Sequence, residues 1–328
     1  MPDLIAVAPP PETPPATPAG PRRDRETFRL AAFGALLVVV LFAGYGIGRL
    51  AGPTTSGSAG SSTPMPATGM TGMTGNENAP HTHTAAGAPN TNPGEAVGGL
   101  AVTASGMTLV PGTTTFAAGR SQPFTFRITA AGGAPVTTYA VVHDKPLHLV
   151  VVRRDLTGYQ HLHPTMAPDG TWTVDLTLAG PGSYRAIADF TAIVGGSQMP
   201  STLGADLTVP GDYRPVPLPV PVRTATADGF TVSYEGTPRA GVAEPLLVSV
   251  TAPGGGPATL EPYLGAYGHL VVLRVGDVGY VHVHPEPQLV DGKVKFWLAA
   301  PGPGSYRMFF DFQVAGRVHT AAWSVTVP

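Results

Sequence analysis

Three features of the sequence predict an all-β protein, with two tandem β-sandwich domains behind one N-terminal transmembrane helix. Gly (42) and Pro (37) recur at short intervals along 328 residues, which breaks a chain into short strands rather than long helices. Segments rich in Val, Thr, Tyr and Phe lie between those breaks from residue 96 onward. One block of such segments is written twice.

The first 95 residues read in three parts. Residues 1–28 are Pro-rich and polar and end in Arg22, Arg23 and Arg25, with Arg29 just beyond. They hold little apolar surface and read as a disordered tail. Residues 29–51 contain the almost wholly apolar run Leu30 to Leu50, and ~20 such residues span a bilayer as a helix. The arginines precede the run, so the positive-inside rule puts the N-terminus in the cytoplasm and the rest of the chain outside. A cleaved signal peptide is the alternative. Its apolar core is usually ~7–15 residues and no clear small-x-small cleavage site directly follows the run, so an uncleaved anchor is favoured. Residues 52–95 are Gly, Ser, Thr, Ala, Pro and Asn without apolar period, a flexible linker. Met65, Met70, Met73, His81 and His83 dot it. Thioethers and imidazoles are copper ligands, but ordering them on a flexible chain costs entropy. A loose capture arm and an incidental composition both remain open.

The repeat fills the remainder. His148 aligns with His269 at an offset of 121 residues, which also superposes Tyr159 on Tyr280 and Pro164 on Pro285. At an offset of 122, Asp169-Gly170 falls on Asp291-Gly292, Gly182-Ser-Tyr-Arg185 on Gly304-Ser-Tyr-Arg307, and Asp189-Phe190 on Asp311-Phe312. The domains are therefore 96–210 and 222–328, joined by the Pro-rich linker 211–221. The first offers strands at Leu100–Ala104, Thr108–Val110, Phe124–Thr129, Tyr139–Val142, His148–Val152, Tyr159–His163, Trp172–Leu178, Tyr184–Phe190 and Ala205–Val209. The second offers Thr224–Ala227, Phe230–Tyr234, Leu246–Thr251, Gly268–Leu273, Tyr280–His284, Lys293–Leu298, Tyr306–Val314 and Val318–Val327. Seven to nine short strands in ~110 residues suggest an immunoglobulin-like sandwich. The Gly-Pro-Gly-Ser-Tyr runs at 180–184 and 302–306 read as turns that enter a strand, with Tyr184 and Tyr306 as corner tyrosines.

Composition excludes several classes. Charged residues are 12%, the formal net charge is -2, and no basic patch suited to nucleic acid is visible. The absence of cysteine rules out disulfides, thiolate zinc sites, a cysteine nucleophile and a blue-copper centre. The chain carries no His-Glu-x-x-His, Gly-x-Ser-x-Gly, phosphate loop or dinucleotide fingerprint.

The histidines carry the chemistry. Eight of ten lie in the repeats: His143, His148, His161 and His163 in the first, and His269, His282, His284 and His319 in the second. Alternate residues of a strand share a face, so His161 and His163 face one way, as do His282 and His284. If Arg153 pairs with Gly158 around Arg154-Asp-Leu-Thr157, His148 lies opposite His163 on that face. Likewise Arg274 opposite Gly279 brings His269 opposite His284. A one-residue slip would put His148 and His269 on the wrong face. Three imidazoles and a fourth group suit Zn²⁺ or Cu²⁺. The fourth would be His143 in one site and His319 in the other, with the Met199 thioether as a further option in the first. The competing reading is a structural hydrogen-bonded network under a loop. Asp189 and Asp311 either orient an imidazole or pair with Arg185 and Arg307; the arginine pairing is favoured.

The two His-Leu…His-x-His-Pro motifs, each followed by Pro-Gly-Ser-Tyr-Arg, resemble bacterial membrane-anchored or secreted proteins with YtkA-like or FixH-like immunoglobulin-type domains. That group includes proteins associated with heavy-metal handling. The resemblance covers residues 96–328 and implies an extracytoplasmic sandwich that binds copper or another transition metal; it implies no catalytic residue. The expected function is a membrane-anchored, non-enzymatic protein that binds, sequesters or delivers copper or zinc, with a metal transporter or surface protein as partner. The alternative is a non-catalytic cell-surface module for protein–protein interaction or assembly. A metal-dependent hydrolase is disfavoured, because the His-dense strands carry no carboxylate to act as base.

Overall fold

A computed structural model describes residues 97–328. The tail, transmembrane helix and linker expected over residues 1–95 lie outside the described residues. Among the described residues no helix is long and apolar enough to cross a membrane.

The described chain is all-β and forms two sandwiches. The first contains β1 (Thr103–Ala104), β2 (Met107–Pro111), β3 (Ser121–Thr129), β4 (Tyr139–Ala140), β5 (Leu147–Arg153), β6 (Gln160–Leu162), β7 (Thr165–Met166), β8 (Thr171–Thr177), β9 (Gly182–Val194) and β10 (Ser197–Val209). The second contains β11 (Thr224–Ala227), β12 (Phe230–Glu235), β13 (Glu244–Thr251), β14 (His269–Arg274), β15 (Tyr280–Val281), β16 (Val283–Pro285), β17 (Val294–Leu298), β18 (Gly304–Val314) and β19 (Arg317–Val327). In the first, a sheet of order β1-β2-β3-β8-β7 faces one of order β10-β9-β5-β6, with β4 beside β9. The second repeats this as β11-β12-β13-β17-β16 against β15-β14-β18-β19.

Each sandwich closes over its own core by alternation along the strands. Phe124, Phe126, Trp172, Leu149, Val151 and Ala188 fill the first. Phe296, Phe310, Phe312, Leu270, Val272 and Trp323 fill the second. The corner tyrosines form as the turn motif predicts. Tyr184 donates to the Gly180 carbonyl at 2.8 Å and Tyr306 to the Gly302 carbonyl at 2.7 Å.

The strand expected over Tyr159–His163 divides. Residues Gln160–Leu162 pair with β5, and the chain then crosses to the other sheet, where Thr165–Met166 pairs with β8. The second domain makes the same crossing at His282, between β15 on β14 and β16 on β17. The crossing puts His163 and His284 outside the hairpins that the sequence assigns them to.

A third apolar cluster joins the domains. Val150, Val152, Leu156 and Ile187 of the first bury against Val271, Leu273, Val278, Tyr280 and Phe309 of the second. These residues occupy the outer faces of the sheets containing β5 and β14. Both strands are thus buried on both sides, except at their last residue. Leu156 and Val278 adopt left-handed backbone, at φ 64 and 63, while burying their side chains here. Arg154 adds hydrogen bonds to the carbonyls of Gly276 and Asp277 at 3.1 and 3.0 Å.

The incoming chain seals the seam. Gly98 exchanges backbone hydrogen bonds with Tyr280 at 2.8 and 3.0 Å, and the Gly99 N–H donates to Thr202 at 3.0 Å. Any side chain at Gly98 would strike Thr202, and one at Gly99, where φ is +72, would strike Ile187. Glycine is required at both positions by close approach, and at the second by backbone conformation as well.

The Arg153 hairpin is tied to the interdomain linker through Asp155. Its carboxylate accepts from Arg153, Thr157 and the Val216 N–H. Although burial alone would raise its pKa, these donors hold it down at about 2. The native pKa is below the unfolded one, so the stabilisation is complete above about pH 4 and is lost as pH falls through about 2. Asp155→Asn is expected to cost about 1.5–3 kcal/mol at pH 7, measured by urea unfolding. The gap to the parent should close on acidification through that window; an equal gap at pH 2 and pH 7 would contradict the assignment.

A candidate metal centre between the two domains

The site grows from the outer faces of β5 and β14. Strand register pairs Leu149 with Leu162 and Val150 with His161. This is the frame that sets Arg153 against Gly158, as a four-residue hairpin loop predicts. In the second domain Val272 pairs with Val281 and Leu273 with Tyr280, again the expected frame. His148 therefore shares the face of Val150 and Val152, and His269 that of Val271 and Leu273. Because these faces pack on each other, His148 and His269 meet across the seam. Their rings are parallel, with centroids 5.4 Å apart.

His161 joins them. Its ring lies 5.3 Å from that of His148 and 4.7 Å from that of His269. One ligating nitrogen from each of His148, His161 and His269 lies within 4.8 Å of the others. The sequence assigns His269 to a site of its own in the second domain. The structure instead places it with two histidines of the first, because the two outer faces form one interface.

The remaining histidines are placed as follows. His143 stands in a two-residue turn with Asp144, both at positive φ. Its ring is 6.0 Å from that of His148 and 5.6 Å from that of His269. The His163 ring is 5.1 Å from that of His148 and 4.8 Å from that of His161, and its Nε2 is buried without a hydrogen-bond partner. His282 and His284 lie 4.8 Å apart at the second crossing, and His284 belongs to the sheet opposite β14. His319 is not in this group. It pairs with Phe312 across β18 and β19, one position from the Asp311–Thr320 pair. Strand alternation turns it away from Asp311 and towards Phe230 and Phe312, where its Nδ1 bonds Asp228 at 2.8 Å. The expected set His269, His282, His284 and His319 is therefore not assembled. Met199, considered as a thioether donor, packs against the first core.

Asp189 and Asp311 do not pair with Arg185 and Arg307. Arg185 pairs with Asp206, and Arg307 donates to Ser324. Each aspartate instead serves the imidazole and tyrosine of the opposite domain. The Asp311 carboxylate accepts from His161 Nδ1 at 2.9 Å, Tyr159 at 3.0 Å and Thr320 at 2.6 Å. On the other side Asp189 accepts from Thr202 at 2.6 Å and lies 3.6 Å from His282 Nδ1. Burial and the adjacent aspartates raise the pKa of Tyr159 and Tyr280 well above the usual phenol value, so both phenols keep their protons. The sequence signal for this exchange lay in β5 and β14. Their apolar runs continue on both faces, as in strands covered from both sides.

These partners fix the ring tautomers. His148 Nε2 lies 3.1 Å from the Val142 carbonyl, so it carries hydrogen and donates. His161 Nδ1 donates to Asp311. The remaining nitrogens, His148 Nδ1 and His161 Nε2, face each other at 3.1 Å. In neutral rings both present lone pairs, an arrangement that a metal ion between them would satisfy. Two nitrogens on one tetrahedral Zn²⁺ stand about 3.3 Å apart for bonds of ~2.0–2.1 Å. Burial first, then the neighbouring imidazoles, lowers the pKa of His148 to about 4 and of His163 to about 3. The same causes push that of His269 well below its usual value. Neutral imidazole is the ligating form.

Comparison with known families rests on the repeat. The Domain of unknown function DUF8832 matches residues 101–205 and again 225–328. The chain belongs to the DUF8832 family. The two copies of this DUF8832 chain coincide with the two sandwiches that bracket the histidine cluster. No curated protein matches the chain. Among solved structures, the Escherichia coli adhesin FdeC is 16% identical, with a TM-score of 0.25 over 70% of this chain and 66% of the adhesin's. Domains 4 and 5 of the S-layer protein SbsC are 11% identical, with a TM-score of 0.20 over 68% of this chain and 98% of theirs. A marsupial T cell receptor is 11% identical, with a TM-score of 0.19 over 66% of this chain and 93% of its own. Likeness at this level carries no functional argument.

Asp311 is buried and accepts from three donors, and substitution by Asn leaves those donors one acceptor short. Asp311→Asn is expected to destabilise the protein by about 1.5–3 kcal/mol. Asp189→Asn should cost less, because its imidazole stands farther off. Equal losses in urea unfolding would argue against the asymmetry of the two halves.

Proposed function

We propose that the protein binds a transition-metal ion, copper or zinc, between its two sandwiches and serves to sequester or deliver it. The observation that carries this reading is the facing pair of His148 Nδ1 and His161 Nε2, with His269 completing a three-nitrogen set. The set fits the group: three imidazoles and a fourth ligand suit Zn²⁺ and Cu²⁺. Asp311 orients His161 through the nitrogen opposite the ligating one, the usual arrangement for a metal-bound histidine. Asp311, the carboxylate beside the set, already accepts from His161, Tyr159 and Thr320, so this reading gives it a positioning role rather than that of a general base. In this reading residues 29–51 anchor the chain in the membrane, with the sandwiches extracytoplasmic and a transporter or surface protein as recipient.

Calorimetric titration of the purified chain with Cu²⁺ and Zn²⁺ tests the reading. One tight ion is expected, lost on His148→Ala in the first domain and equally on His269→Ala in the second. His319→Ala should retain it. Unchanged tight binding in both His148→Ala and His269→Ala would sink the proposal.

A further inference from the structure

The two halves of the cluster are copies whose supports match but whose imidazoles do not. His161 and His282 are equivalent in the repeat. Each follows by two residues a tyrosine packed into the seam, Tyr159 or Tyr280, and each faces an aspartate of the opposite domain that also accepts from a threonine on the last strand of its own sheet. His161 is turned in, with its side chain 3% exposed and Nδ1 2.9 Å from Asp311. His282 is turned out, with its side chain 48% exposed and Nδ1 3.6 Å from Asp189.

The inner histidines record the same difference. His148 Nδ1 has His161 Nε2 as its neighbour at 3.1 Å. The equivalent nitrogen across the seam, His269 Nδ1, is buried and has no hydrogen-bond partner. His269 is itself only 5% exposed. A buried polar atom without a partner is unfavourable. The repeat relation names the group that would stand opposite it, the Nε2 of His282.

We propose that His282 is a mobile fourth ligand, which turns inward about Asp189 when the ion binds and joins His148, His161 and His269 in one four-imidazole shell. The inference rests on the metal-binding reading above. Turning in places Nδ1–H against Asp189, as His161 does against Asp311, and leaves Nε2 free for the ion. The movement needs no change in the buried strands, since His282 lies at the crossing between β15 and β16. An exposed ligand that joins last and leaves first gives the ion a path between the buried centre and solvent, which suits a protein that passes its cargo on.

Electron paramagnetic resonance of the full chain loaded with one equivalent of Cu²⁺, paired with competition titration, tests the proposal. The parent should show four equatorial nitrogens and His282→Ala three, with affinity lower by at least about tenfold, the smaller loss typical when even an outer partner of a ligand is removed. Asp189→Asn should keep four nitrogens but weaken binding. An identical spectrum and affinity in parent and His282→Ala would overturn the fourth ligand. The binding reading would still stand if His148→Ala abolished uptake, so the two failures are distinguishable.

Discussion

Everything distinctive about this molecule depends on the burial of the outer faces of β5 and β14 against each other. A sandwich needs only one apolar face per sheet. Here the second face is apolar too, with Val150, Val152 and Ile187 meeting Val271, Leu273 and Phe309. Side chains of this size contribute about 1.5–3 kcal/mol each when removed from water, enough to hold two domains in a defined register. That register brings His148 onto His269 and sets each aspartate beside the other domain's tyrosine. A metal centre in this position belongs to neither domain alone.

The seam also sets the electrostatics. Imidazoles crowded into an apolar interface lose their hydration and repel one another's charge, so His148, His163 and His269 resist protonation. The buried Asp311 carboxylate is tolerated because tyrosine, threonine and imidazole donors surround it. Asp311 has all three within 3.0 Å. A network this well satisfied is rigid, which suits the inward half. The outward half is looser, with His282 Nδ1 3.6 Å from Asp189 and its side chain 48% exposed.

The two halves of the histidine cluster are copies that have diverged. The tyrosine, aspartate and central histidine persist in both copies. His143 in the turn of the first domain is replaced by Leu264 in the second, although Val142–Lys145 and Tyr263–Ala266 form the same turn, with both central residues at positive φ. The incoming strap at Gly98 and Gly99 pairs beside Tyr280, in the half that contains His282. The two ends of the cluster therefore have different surroundings although their chemistry was copied.

The sequence by itself determined most of the strands, the repeat, the corner tyrosines and the hairpin register, because each depends on local signals: alternation, Gly-Pro turns and loop length; the crossings at His163 and His282, where one expected strand divides between two sheets, came only from packing. It also singled out the histidines. It did not reveal which histidines share a site. Counting along one chain keeps His269 with His282, His284 and His319, whereas only packing joins it to His148 and His161. His319 shows the limit most clearly, since its place on the inner face follows from pairing with Phe312 across β18 and β19. The partners of Asp189 and Asp311 were hidden for the same reason. Local register assigns each aspartate neighbours on its own sheet, and the tertiary structure gives it a histidine from the other domain because two apolar faces had no water to face.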